Sequence, residues 1–240
     1  MSETLVLLHG FAGTRQTWDR VIAQLDPQRY RPLALDLPGH GESSSYERPI
    51  SFEGCVEQVL AAAPRRFVLC GYSMGGRIAL HAALAAPDRV QRLVLVSSTA
   101  GIEDVAARHD RSVADRELAE RLESAPFEEF IEHWRTQPLF ADEPPRVSAL
   151  ARDDHRRNRP EALAAALRGI GTGEMGSLWD RLGELTMPVQ FVVGERDAKF
   201  RALATRMCAL VRHGEIDVVP GGHGVPLEGP DVLARILQRP

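Results

Sequence analysis

Residues 71–76, Gly71-Tyr72-Ser73-Met74-Gly75-Gly76, impose a sharp reversal between two kinds of backbone. The short apolar run Phe67–Cys70 precedes them. A stretch rich in helix formers, from Met74 to Ala86, follows and stops at Pro87. A G-x-S-x-G sequence in that setting is a nucleophile elbow. Gly71 and Gly75 let strand and helix pass closely, and the turn pushes the Ser73 hydroxyl out into a cleft. The helix behind it offers free N–H groups and the positive end of its dipole. A chance glycine-rich turn would not carry a strand on one side and a helix on the other.

The rest of the chain repeats this alternation. Leu5–Leu8, Leu33–Leu37, Leu93–Val96, Val189–Val193 and Ile216–Val219 are short and nearly all apolar, as strands buried on both faces should be. Amphipathic stretches separate them. Phe200, Leu203, Ala204, Met207, Leu210 and Val211 mark one helical face. The pattern predicts an α/β class with a mostly parallel sheet flanked by helices. The alternation lapses from about residue 101 to 175, a helical stretch broken at Pro126, Pro138 and Pro144-Pro145. This reads as a helical cap inserted between two strands, with the core at 1–100 and 176–240, in a single domain spanning 1–240. A cap so placed lies over the carboxyl ends of the strands, where open α/β sheets bind ligands. A chain of 240 residues can bury the core such a domain needs.

A serine hydroxyl is a weak nucleophile or base alone; it needs an imidazole, which in turn needs an orienting carboxylate. Asp197 follows the run Val189–Val193, and His223 follows Ile216–Val219. Ser73, Asp197 and His223 occur in the chain order of the α/β-hydrolase fold, each past a strand's carboxyl end. Glu195 is a rival acid. His81, His133, His155 and His213 fall in helices or loops and read as surface residues. His9-Gly10-Phe11 follows the first strand. In this fold that turn gives one N–H to an oxyanion hole and the residue after the nucleophile gives the other, here Phe11 and Met74. His9 reads as shaping the turn, and Asp36–Glu42 as a structural loop.

The formal net charge is −4, so no overall positive field draws the chain to nucleic acid or an anionic membrane. Any anionic ligand must be met by locally placed arginines. No run approaches the roughly 20 apolar residues of a membrane span, so no membrane insertion is expected. The three cysteines, Cys55, Cys70 and Cys208, lack metal-like spacing, and Cys70 reads as core. With no basic, apolar leader at the start, the protein is read as cytoplasmic. Neither a metal nor a cofactor is expected, and oligomeric state is not legible.

From end to end the chain resembles the α/β-hydrolase superfamily. Within it, several segments resemble 2-succinyl-6-hydroxy-2,4-cyclohexadiene-1-carboxylate (SHCHC) synthase of menaquinone biosynthesis. These are Ser73–Arg77, Phe130–Phe140, Gly171-Thr172-Gly173 with Ser177-Leu178-Trp179, and Gly194–Phe200. The resemblance implies a lyase. Ser73, activated by the triad, would act as a base on the cyclohexene substrate beside its succinyl ketone. The oxyanion hole would hold the enolate, and the enolpyruvyl group would leave as pyruvate. It further implies that Tyr72, Arg77, Arg111, Trp134 and, in the segment Arg156-Arg157-Asn158, Arg156 contact a small polycarboxylate substrate. One position departs from the family, which commonly carries a second histidine three residues after the catalytic one, where this chain has Pro226. The alternative is a carboxylic ester or thioester hydrolase acting through an acyl-serine, which an apolar cap without convergent arginines would favour. A binding protein that keeps the fold without turnover fits poorly with an intact triad.

Overall fold

The computed structural model describes residues 2–45 and 49–239. In chain order the elements are β1 (Glu3–Leu8), α1 (Asp19–Ile22), β2 (Tyr30–Leu35), α2 (Phe52–Ala62), β3 (Phe67–Tyr72), α3 (Met74–Ala85) and β4 (Val90–Val96). Four helices follow without a strand: α4 (Val105–Ser124), α5 (Phe127–Arg135), α6 (Pro145–His155) and α7 (Pro160–Ile170). The chain then returns to the sheet with β5 (Val189–Gly194), α8 (Ala198–Cys208), β6 (Gly214–Val219), α9 (Val225–Glu228) and α10 (Pro230–Leu237).

The six strands form one sheet in the order β2-β1-β3-β4-β5-β6, with every neighbouring pair parallel. The chain runs outward from β1 to β2, then crosses back to place β3 on the other side of β1. That reversal opens a crevice beyond the carboxyl ends of β1 and β3, where ligands bind in open α/β sheets. The turn after β1 and the elbow after β3 both end there.

Side-chain alternation splits the core into two layers. Val6, Leu8 and Leu69 join one buried cluster, with Ile78 and Phe191. Leu5, Leu7, Val68 and Cys70 join the other, with Trp18 and Leu233. Each of the six apolar runs falls in a strand, although β2 covers Tyr30–Leu35 and stops short of Asp36 and Leu37 of its run, and burial on both faces holds only for the inner strands. On the edge strand β6, Ile216 is 37% and Val218 52% exposed, because the sheet ends there and leaves one face partly uncovered. Leu210 also departs from expectation: α8 stops at Cys208, and Leu210 lies beyond it, half exposed, while Ala204 and Met207 stay buried.

The prolines set the cap's breaks. Pro126 caps α5, and Pro144-Pro145 opens α6, where a missing N–H costs nothing in the first turn. Phe130, Ile131, Leu163 and Leu167 form the cap's own apolar cluster, which also takes in Ala12 of the turn after β1. Among the described residues no helix is long and apolar enough to cross a membrane.

Candidate active site

The elbow is built as its glycines require. A side chain at Gly71 would meet the Gly75 carbonyl oxygen at 2.3 Å, and one at Gly75 the Leu8 oxygen at 2.4 Å. Ser73 sits at φ 51°, a conformation costly for a residue with a Cβ. Its backbone is pinned on both sides: its N–H donates to Val96 at 2.9 Å, and its carbonyl accepts the Ser98 hydroxyl at 2.9 Å.

His223 Nε2 stands 3.1 Å from Ser73 Oγ. Its Nδ1 donates to Asp197 Oδ2 at 2.7 Å. A carboxylate can only accept, so this bond fixes the neutral ring with Nε2 free to take the serine proton. The loops bearing the two residues approach closely. A Cβ at Gly194 would meet the Gly222 oxygen at 2.0 Å, so only glycine fits. Asp197 is also the N-cap of α8, its Oδ1 accepting Phe200 N–H at 3.2 Å. Glu195, the rival acid, points out and pairs with Arg196. The His223 imidazole is buried among the rings of Phe200 (4.6 Å), Tyr72 (5.5 Å) and Phe140 (6.0 Å). That burial lowers its pKa below the usual histidine value, against the opposing pull of Asp197. Burial likewise raises the Tyr72 phenol, which is therefore a neutral hydroxyl.

Phe11 and Met74 line the same cavity as Ser73, and among the described residues neither N–H finds a backbone acceptor. His9 shapes the first of these turns. Its Nδ1 donates to Gly10 O at 2.8 Å, and its Nε2 accepts Leu37 N–H at 3.0 Å, so both nitrogens are committed. Asp36 ties down the neighbouring loop by accepting the N–H groups of Arg15 (2.7 Å) and Glu42 (3.1 Å).

Ser73 and His223 open onto a cavity of about 650 Å³, whose lining includes Phe11, Tyr72, Met74, Arg77, Arg111 and Trp134. Arg77 is buried and donates through Nη1 to Ile170 O at 2.8 Å; among the described residues it has no carboxylate partner. Burial and the nearby Arg111 lower its pKa to about 10, so it remains cationic at neutral pH. Arg111 pairs with Asp115 at 2.8 Å, which holds it toward the cavity. Trp134 packs edge-on against Phe11 at 5.1 Å.

Arg156 is not brought to the site. It follows α6 on the outer face of the cap, where it pairs with Glu128 and, at 2.8 Å, with Asp153. The residue expected at the surface beside it, His155, is instead buried and donates to Ala12 O at 2.8 Å. His81 is half-buried, stacked 4.6 Å from Phe52, while His133 and His213 are exposed as expected.

Sequence reasoning missed two further cations on the cavity wall, Lys199 and Arg206. With Leu203 they follow an i, i+4, i+7 spacing on α8, so one helix face carries all three. That spacing was the available signal. Arg206 pairs with Glu103 at 2.8 Å and lies 4.2 Å over Trp179. Lys199 has no acidic partner within ion-pair distance among the described residues. Among those residues, no group of three or more His, Cys, Asp or Glu is arranged to hold a metal ion.

Residues 5–236 match the model of the alpha/beta hydrolase family. The SHCHC synthase of Enterobacter sp. (strain 638) is 36% identical over 243 residues, covering 97% of this chain and 89% of that protein. The enzyme of the same name from Salmonella agona (strain SL483) is 33% identical over 247 residues, covering 98% and 94%. The solved structure of MenH from S. aureus superposes with a TM-score of 0.91 at 31% identity, over 98% of this chain and 91% of that one.

Proposed function

Since this chain belongs to the α/β-hydrolase family and, within it, to the SHCHC synthases, we propose that the cavity around Ser73 eliminates pyruvate from an enolpyruvyl-succinyl-cyclohexene carboxylate to give SHCHC. The reaction is a carbon–oxygen lyase step of menaquinone biosynthesis, and the chain's own residues supply its parts.

Neutral His223 draws the Ser73 hydroxyl proton onto Nε2, across the 3.1 Å contact, and Asp197 stabilises the imidazolium that forms. The Ser73 oxygen then removes the substrate proton beside the succinyl ketone. The electron pair runs onto the ketone oxygen, where the N–H groups of Phe11 and Met74 meet the developing charge. When the pair returns through the ring, the C–O bond to the enolpyruvyl group breaks and the enolate of pyruvate leaves. It takes the proton held on His223 Nε2 at its methylene carbon to become pyruvate, which restores the neutral imidazole and the Ser73 hydroxyl. Ser73 thus works as a base rather than as an acyl carrier. The apolar rings around His223 keep bulk water from competing for its proton.

A substrate bearing several carboxylates needs fixed cations. Arg77, which is four residues after the nucleophile, and Arg111 of the cap supply them, with the hydroxyl of Tyr72 and the ring of Trp134 completing the wall. A guanidinium binds a carboxylate through two parallel N–H bonds, so it orients as well as attracts. The observation that carries this reading is that Arg77 and Arg111 share one cavity with the Ser73–His223 contact. A simple esterase gains little from such a wall. The three free cysteines, two of them buried, are consistent with a reducing, cytoplasmic setting. The direct test is to incubate the protein with the enolpyruvyl-succinyl substrate and follow pyruvate. Its prompt release is expected. Fast hydrolysis of neutral esters without pyruvate release would replace the lyase by a hydrolase.

A further inference from the structure

The end of α6 grips the turn that carries the Phe11 N–H. Three side chains make the contact, and all three are buried: Asp154, His155 and Asn158. Asp154 accepts Thr14 N–H at 3.0 Å and the Thr17 hydroxyl at 2.7 Å through Oδ2, and the Thr14 hydroxyl through Oδ1. His155 Nδ1 and Asn158 Nδ2 both donate to Ala12 O, at 2.8 and 2.7 Å. Asn158 Oδ1 accepts Gly41 N–H at 2.9 Å, which ties the same point to the loop after β2.

Ala12 needs this support. It is fully buried at φ 61°, a left-handed conformation that a residue with a Cβ avoids. Its carbonyl is directed into the cap, where water cannot satisfy it. Without the two donors the turn would gain by relaxing toward ordinary backbone angles, and the Phe11 N–H would swing with it. Oxyanion stabilisation depends on donors held within a few tenths of an ångström of the developing charge.

We propose that Asp154, His155 and Asn158 of the cap are positioning residues for the oxyanion hole, holding Ala12 and Thr14 so that the Phe11 N–H faces the enolate oxygen. The cap then does more than cover the substrate: it completes the catalytic backbone geometry. This rests on the assignment of Phe11 and Met74 to the oxyanion hole in the reaction described above. The grip itself would serve any oxyanion formed beside Ser73.

The test compares Asn158→Ala, His155→Ala and Thr17→Val with Asp153→Ala, whose side chain lies on the outer face of the same helix and pairs with Arg156. Pyruvate release from the enolpyruvyl-succinyl substrate and hydrolysis of a nitrophenyl ester are both followed in the full chain. Removing an oxyanion donor outright costs about a hundred- to a thousandfold in kcat; misaligning one should cost less. Asn158→Ala and His155→Ala are expected to lower kcat roughly ten- to a hundredfold on both substrates, with KM within about threefold. Thr17→Val nearly conserves volume and removes one of Asp154's donors. It decides the matter if the other two fail to fold, with an expected loss of a few-fold in kcat. Asp153→Ala should match the parent. Unchanged kcat, a loss confined to KM, or an equal loss in Asp153→Ala would overturn the proposal. A parent that hydrolyses ester but releases no pyruvate would refute the lyase reading alone, since the ester still reports on the grip.

Discussion

Asp197 Oδ2 lies 2.7 Å from His223 Nδ1, while the same carboxylate's Oδ1 caps α8 through Phe200 N–H at 3.2 Å. One acid thus fixes both the imidazole and the helix that carries Lys199 into the cavity. Its orientation is set by a helix terminus and not by the imidazole alone.

Ser73→Ala is expected to abolish pyruvate release and leave the fold intact. The hydroxyl faces the cavity, and alanine can occupy the same backbone. Surface-like changes of this kind alter stability by about 0.5 kcal/mol or less. Near-normal turnover by the variant would refute the base assignment.

Asp197→Asn and His223→Ala should each be crippled, and combining either with Ser73→Ala should add little. Groups that act as one unit are strongly non-additive. Double mutants whose losses multiply would show that the three residues do not form one unit.

Arg77→Ala, and more weakly Arg111→Ala, should impair the polycarboxylate substrate far more than a neutral ester such as nitrophenyl acetate. Losing a charge-assisted hydrogen bond costs about 1.5–3 kcal/mol, or roughly ten- to a hundredfold in kcat/KM. Arg77 also satisfies Ile170 O, so some general damage is expected, and comparing the two substrates on one variant cancels it. Equal losses on both would make Arg77 structural. Arg156→Ala, by contrast, removes a cation from the cap's outer face and should leave kcat and KM for both substrates unchanged.

Activity and stability should both fall on the acid side. His223 must be neutral to accept the serine proton, and its pKa is lowered by burial, so the acid limb of kcat/KM is expected below pH 6.5. His155 is lowered to about 3 and His40 well below the usual value, burial being the main cause in each. A group depressed in the folded state binds its proton more readily when unfolded. Its stabilising contribution is therefore complete above pH 6.5, erodes as pH falls, and for His155 is exhausted near pH 3. At pH 5 His155 alone should account for about 2 kcal/mol. Thermal melts at pH 7 and pH 5 check this. A Tm that does not fall at pH 5 would contradict the buried, neutral histidines.

The sequence by itself determined the sheet and the convergence of Ser73, Asp197 and His223 past its strand ends. Each depends on local backbone demands that leave a residue signature: apolar runs for inner strands, glycines where strand and helix collide, an acid and a histidine just past strand ends. The helical cap was legible for the same reason, with prolines marking its breaks. The docked face of each cap helix was not legible. Successive side chains on a helix point about 100° apart, so a shift of one residue moves a side chain from the cleft to solvent. Arg156 and His155 changed places in this way: the arginine faces out to Glu128 and Asp153, and the histidine holds the Ala12 carbonyl. Pro226, the departure from the family pattern, is likewise settled only by packing, buried in the first turn of α9. Tertiary structure alone decided these positions, because the partner that buries a helix face lies far along the chain. The grip of residues 154–158 on residues 12–17 spans about 140 positions, and no local pattern encodes a contact at that range.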